Sequence, residues 1–173
     1  MIPRPTTKRG TLFKQLEQAA LALIYGLAMR ARAIVWRIQR PKLIGVRALI
    51  VRERTVLLIR HRAGRQPWGL PGGGVERNES LAEAASREAR EESGAQVEIL
   101  QLLGVYGRFD GGVSNYIGVF ICAPLSEPNP PRSLEIAEAR YFPIDALPPG
   151  TDEGSRRRIA EYLRGERGVA HAW

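Results

Sequence analysis

Residues 72–95 read GGGVERNESLAEAASREAREESGA, and the fold is decided here. Ser80 followed three residues later by Glu83 has the form of a capping box, and Gly94 is placed to stop a helix. At about 100° per residue, Leu81, Ala84, Ala85, Glu88 and Glu92 fall on one side of that helix. Glu91 lies at the edge of this arc, and Glu83, Ser86 and Arg90 point away. The stripe that should face the core therefore carries carboxylates in its last two turns. Buried charge is costly unless it is paired or holds a metal, and three carboxylates at this spacing cannot satisfy one another. Oxygen ligands alone indicate a hard cation, Mg²⁺ or Mn²⁺. A solvated acidic face and a purely structural ion pair with Arg87 are the competing readings. Arg87 stands four residues after Glu83 and four before Glu91, where it is expected to hold Glu91 in position.

The same stretch resembles the box of the Nudix hydrolases: a glycine, five residues, a glutamate, seven residues, then Arg-Glu-U-x-Glu-Glu-x-Gly-U, with U a bulky aliphatic residue. Gly73, Glu79, Arg87, Glu88, Glu91, Glu92 and Gly94 match every charged and glycine position; Ala89 and Ala95 are small where the family carries U, which implies a locally thinner core. The resemblance implies an α/β/α sandwich built on a mixed sheet. It implies metal ligands from Glu88, Glu91 and Glu92, or two ligands and a base with Glu88 as the first choice of base. The Gly72 carbonyl and a later carboxylate, Glu138 before Glu135, would complete the set, with Glu76 in support. Glu79 reads as structural, because a negative charge is favoured near a helix start.

The implied chemistry is Mg²⁺-dependent attack by water on a phosphoanhydride of a nucleoside diphosphate linked to another moiety. Charge stabilisation and positioning suffice for this, with no nucleophilic side chain. A nucleoside triphosphate pyrophosphatase, a non-catalytic nucleotide sensor and a hydrolase of lipid-linked diphosphates are the alternatives. Asp110 stands where the family's ADP-ribose subgroup carries a proline, and the run before the box does not match the coenzyme A subgroup.

Outward from the box, residues 43–51 and 55–62 are β-rich runs joined by a polar turn at 52–54. Arg60, Arg62 and Arg65 precede the glycines and are candidates to grip a diphosphate. Trp68 either stacks on a base or plugs the core. After the box, 97–109 and 113–124 form a hairpin over DGG. Tyr106, Arg108 and Phe109 end its first strand as candidate pocket residues. YIGVFICA is apolar on both faces and reads as a central strand. Residues 138–143 give a last strand, and 152–164 a closing helix with Ile159, Tyr162 and Leu163 inward. The hydrolase domain is thus expected over 42–168, with 169–173 as a tail.

The net charge of +8 belongs to one end. Residues 1–42 hold nine Lys/Arg and one Glu, whereas 43–173 balance 17 of each sign, so a nucleic-acid partner is not indicated. Residues 1–41 read as a basic leader followed by an amphipathic helix over 11–40. Its apolar core is too short to span a bilayer. A second copy of the chain, or an anionic membrane surface, is its expected partner. A targeting presequence and docking on its own domain are the other readings. The single cysteine, Cys122, excludes an internal disulfide and reads as an inert core thiol, in keeping with a cytoplasmic protein; the inner face of a membrane is the alternative location that residues 11–40 offer. His61 and His171 lack metal-ligand spacing.

Overall fold

Strand β1 (Lys42–Arg52) divides its side chains between two cores. Val46, Ala48 and Ile50 face one side, and Leu49 the other, because successive side chains of a strand point to opposite faces. The computed structural model describes residues 42–62, 67–110, 113–129 and 135–173. The expected helix over 11–40, Arg65 and residues 111–112 of the expected turn lie outside them.

The remaining elements are β2 (Thr55–His61), β3 (Trp68–Gly69), α1 (Leu81–Ser93), β4 (Val97–Asp110), β5 (Val113–Pro124), β6 (Ile136–Pro143), α2 (Glu153–Leu163) and β7 (Val169–Ala172). The sheet runs β3-β2-β1-β5-β4-β7, with β6 along β2. It is mixed: β1 pairs parallel to β5 and β4 parallel to β7, while β2 is antiparallel to β1, β3 and β6. Between β1 and β4, β5 is buried from Ile117 to Cys122, as a strand covered on both faces must be. Burial pushes the Cys122 thiol up to about 12, which leaves it inert at neutral pH.

Helix α1 begins and ends as its sequence prescribes. Ser80 accepts from the Glu83 amide and Glu83 accepts from the Ser80 amide; Gly94 closes the helix at φ 71°. A side chain at Gly94 would collide with the Asn129 carbonyl, so only glycine serves there. Ala84, Ala85, Ala89 and Ala95 are fully buried against Val46, Ala48, Ile50, Leu57 and Phe120. The small residues at the two U positions thus form a close contact between helix and sheet.

The opposite face of the sheet packs on α2. Asp152 caps that helix by accepting from the Ser155 amide, and Ile159 is buried. Tyr162 packs partly, but Leu163 is exposed, contrary to expectation. The inward position is taken by Arg158 instead, 2% exposed, whose Nη2 donates to Glu161 at 2.6 Å. Glu161 also accepts from the Tyr106 hydroxyl at 2.7 Å, and the Arg158 guanidinium lies 3.8 Å from the centre of the Tyr106 ring.

Residues 169–172, expected to be a tail, form β7 instead. Their backbone completes the free edge of β4, pairing Gly104 with Val169 through Gly107 with Ala172, and the Trp173 amide donates to the Gly107 carbonyl. Among the described residues, no helix is long and apolar enough to cross a membrane.

The Arg158–Glu161–Tyr106 group generates a test. Glu161→Ala strands a buried guanidinium and should cost about 3–5 kcal/mol, whereas Tyr106→Phe should cost about 2 kcal/mol. Urea unfolding followed by tryptophan fluorescence measures both; a Glu161→Ala variant as stable as wild type would show that the group does not stabilise this face.

Candidate active site

The loop before α1 is stitched to β1 by backbone hydrogen bonds: Ala48 N–H to the Pro71 carbonyl, Val46 N–H to Gly73 and Val75 N–H to Ile44. This brings residues 71–75 alongside the strand and under the carboxylate end of α1. The approach to Glu88 is close: a Cβ on Gly73 would lie 2.4 Å from Glu88 Oε1. Glycine at this position is what gives the Glu88 carboxylate its room.

Arg87 holds the arrangement together. Its Nε and Nη2 donate to the two oxygens of Glu79 at 2.8 and 3.0 Å; Nη1 donates to Glu88 at 2.9 Å and Glu91 at 3.2 Å; Nη2 also reaches the Gly74 carbonyl at 2.9 Å. Glu83, the other residue four positions away, is engaged in the cap and not by Arg87. Hydrogen bonding to Arg87, followed by the Glu76 amide, holds the Glu79 carboxyl below the usual carboxylate range. Glu79 is thereby structural, and the side chain of Glu76 is exposed.

Glu88 and Glu92 are each 12% exposed in their side chains, and Glu91 is 52% exposed, in line with its place at the edge of the helix face. Glu92 accepts from the Gly72 amide at 2.7 Å, and His61 Nε2 stands 3.7 Å from its other oxygen. Burial pushes the Glu92 carboxyl up to about 7; the Gly72 hydrogen bond and the charge of Arg47 oppose this, and Glu88 and Glu135 add to it. Glu135 is therefore near enough for its charge to be felt at Glu92. Glu138, the first choice for the later carboxylate, is instead paired with Arg60 at 2.8 Å across the β2–β6 ladder.

Two residues that sequence reasoning missed complete the centre. Arg47 donates from Nη1 to the Gly72 carbonyl, the oxygen expected to face a metal. His61 joins it, beside Glu92, in lining a cavity of about 210 Å³ that also touches Arg108. The signal for Arg47 was a lone charge inside an apolar strand, LIGVRALIV.

The other expected substrate contacts are dispersed. Trp68 is 8% exposed and packs edge-on against Phe142 at 4.7 Å, which is the plug rather than the stacking platform. Tyr106 is in the core, its hydroxyl bound to Glu161, because its strand position faces α2. Arg62 is exposed and its amide donates to the Glu135 carbonyl. Phe109 is exposed, with its ring against Tyr116.

The donor set suits a hard divalent cation. Glu88, Glu91, Glu92 and the Gly72 carbonyl offer oxygen only, and the buried Glu92 carboxyl lacks enough positive charge to ionise at its ordinary pH. Among the described residues, no three acidic, thiol or imidazole groups are gathered at ligating distance; Arg87 and the Gly72 amide engage the carboxylates, and Arg47 engages the Gly72 carbonyl.

Comparison with known proteins assigns the family. The NUDIX domain model matches residues 41–163, and the chain belongs to the Nudix family. A Bacillus subtilis protein provisionally named an ADP-ribose pyrophosphatase is 33% identical over 108 residues, covering 60% of this chain and 51% of that protein. The crystal structure of a MutT Nudix hydrolase from Burkholderia pseudomallei is similar with a TM-score of 0.63 at 29% identity, over 69% of this chain and 97% of that one. A UDP-X diphosphatase structure has a TM-score of 0.63 at 26% identity, over 96% and 89% of the two chains. The chain spans about half the length of the first curated relatives that it matches.

The raised Glu92 pKa fixes the sign of a pH effect on the metal-free protein. The folded value lies above the unfolded one, so its contribution to stability is fully present below about pH 4.5 and is lost as pH rises through about 7. Glu92→Gln, which keeps an acceptor for Gly72, should therefore raise the melting temperature at pH 8 in chelator and leave it unchanged near pH 4. The gain is at most on the order of 3 kcal/mol. A variant less stable than wild type at pH 8 would contradict this account of Glu92.

Proposed function

We propose that this chain hydrolyses a phosphoanhydride in a nucleoside diphosphate linked to another moiety, with Mg²⁺ as the physiological metal and Mn²⁺ as a substitute. The observation that carries the reading is the row Glu88, Glu91 and Glu92, held by Arg87 against the Gly72–Gly74 backbone. Its support from relatives is the two diphosphate substrates that their names print, ADP-ribose and a UDP conjugate.

Glu88, Glu91, Glu92 and the Gly72 carbonyl are the residues that would hold the cation, with Glu135 a better-placed contributor than Glu138. The ion supplies neutralisation of phosphate charge and acidification of water. The protein's own work is positioning. Arg87 fixes the Glu88 carboxylate in place by direct hydrogen bonding, which positions it to accept the proton of the attacking water. Arg47, His61 and Arg108 border one cavity beside Glu92 and supply donors for diphosphate oxygens. Arg60, paired with Glu138, and Arg62 stand further out on the same strand and its end.

A panel of nucleotide sugars, dinucleotides and nucleoside triphosphates, assayed with Mg²⁺ in ¹⁸O-water, tests the proposal and locates the attacked phosphorus. Turnover should vanish with chelator. Glu91→Gln and Glu92→Gln should each lower kcat/KM by about 10²-fold or more on the best substrate, the scale of one lost electrostatic contact to the transition state. Wild-type turnover by Glu92→Gln would overturn the ligand assignment. Tight nucleotide binding with no product anywhere in the panel would make the chain a sensor instead.

A further inference from the structure

Among the described residues, the face of the sheet opposite α1 is not covered along its whole length. In the register of β1 with β5, Leu43 lies beside Asn115, Gly45 beside Ile117 and Arg47 beside Val119. Val119 and Ile117 belong to the core on the α2 side, so these positions share that face. Toward the start of β1 the face opens into a cavity of about 670 Å³, floored by Gly45, Gly73 and Gly74 and walled in part by Arg47, Asn115 and Ile117.

Three features of this cavity point to a ligand. Its floor has no side chains, because Gly45 and Gly74 are bridged antiparallel and both are glycine. A Cβ on Gly45 would lie 3.0 Å from the Gly73 carbonyl, whereas one on Gly74 would meet nothing within 4 Å, so bare backbone is presented to a flat ring. The Asn115 Oδ1 is buried and has no hydrogen-bond partner among the described residues. Buried polar groups are almost always paired in native proteins, and an unpaired one on a residue that lines a cavity requires an explanation. The third feature is continuity with the reacting centre. Gly73 floors this cavity and also backs on Glu88. Arg47 walls it, reaches the Gly72 carbonyl and borders the smaller cavity with His61 and Arg108.

We propose that Asn115 is the specificity-determining residue for the nucleobase, bonding the base edge with its amide while the ring lies on the Gly45–Gly74 backbone. A side-chain amide presents a donor and an acceptor together, the complement of a base edge that carries an N–H or amine beside a ring acceptor. Arg47 then meets the first phosphate, and the diphosphate runs on toward Glu92. This placement of the base deepens the hydrolase reading but is tested apart from turnover.

The test is calorimetric binding of AMP, GMP, CMP, UMP and ribose 5-phosphate to wild-type protein and to Asn115→Leu, with Asn115→Ser as a second variant and melting curves as the control for folding. Wild type should bind at least one nucleotide tenfold or more tighter than ribose 5-phosphate. Both variants should lose about tenfold for that nucleotide, the scale of one hydrogen bond, and none for ribose 5-phosphate. In turnover, KM should rise by the same factor with kcat within about twofold, as for loss of uniform binding. No preference in wild type, unchanged preference in both variants, or equal losses for all five ligands would each overturn the proposal. Base-selective binding without turnover would uphold it and remove the hydrolase reading; turnover without base selectivity would do the reverse.

Discussion

One guanidinium holds the centre of this protein together. Arg87 donates to Glu79, Glu88, Glu91 and the Gly74 carbonyl, so a single side chain links the helix, the residue before its cap and the glycine loop. Arginine suits this task because its planar fork presents several fixed donors and stays charged in any surroundings. Lysine at the same place would keep the charge and lose the geometry. The bidentate contact with Glu79 fixes the plane of the fork, and the two remaining carboxylates then have little freedom in where they meet it.

Around the clamp, helix and sheet approach closely. Ala84, Ala85 and Ala89 of α1, with Ala95 just beyond it, meet β1 and β5, and Leu81 packs on the same core at the start of the helix. Bulky side chains at Ala89 and Ala95 would not fit this contact as it stands, and Gly73 lies so close to Glu88 that even a methyl group has no room. The other face of the sheet solves its packing in the opposite way, with the large side chains Trp68, Tyr106, Arg158 and Trp173 filling the space under α2. One core is thin and places carboxylates; the other is thick and is filled by large side chains.

Much of this was legible in the sequence, for reasons that are local. The caps at Ser80 and Gly94, the inward face of α1 and the two buried faces of β5 follow from hydrogen-bond demand and helical or strand periodicity, which a linear pattern carries directly. The failures share a different cause. Leu163 points to solvent because the inward position goes to Arg158, whose burial depends on Glu161 and on Tyr106 from a strand 55 residues before Glu161. Strand β7 depends on the free edge of β4, and four residues of VAHA carry no signal of their own. Arg47 and His61 meet Glu92 only after β1 and β2 are laid beside the loop and helix.

The same long-range assembly sets the electrostatics of the carboxylate end of α1, where the proposed cation would sit. Glu92 is driven toward its neutral form by burial, yet the Gly72 amide and Arg47 are aimed at its ionised form. A protein needing only stability would replace such a carboxylate with an amide or an apolar side chain, since a buried charge with partial compensation is a net cost. Here burial outweighs the compensation, and the proposed cation would supply positive charge beside Glu92. Arg47 reinforces this, because the carbonyl it occupies is an oxygen that a hard cation would take from it. Released from Gly72, its guanidinium is still anchored on β1 between the two cavities, where an anionic phosphate is the partner that its charge requires. On the proposed reading, a cation at the Gly72 carbonyl and a diphosphate at Arg47 would each favour the other, because the cation would free Arg47 and the diphosphate would pair with it.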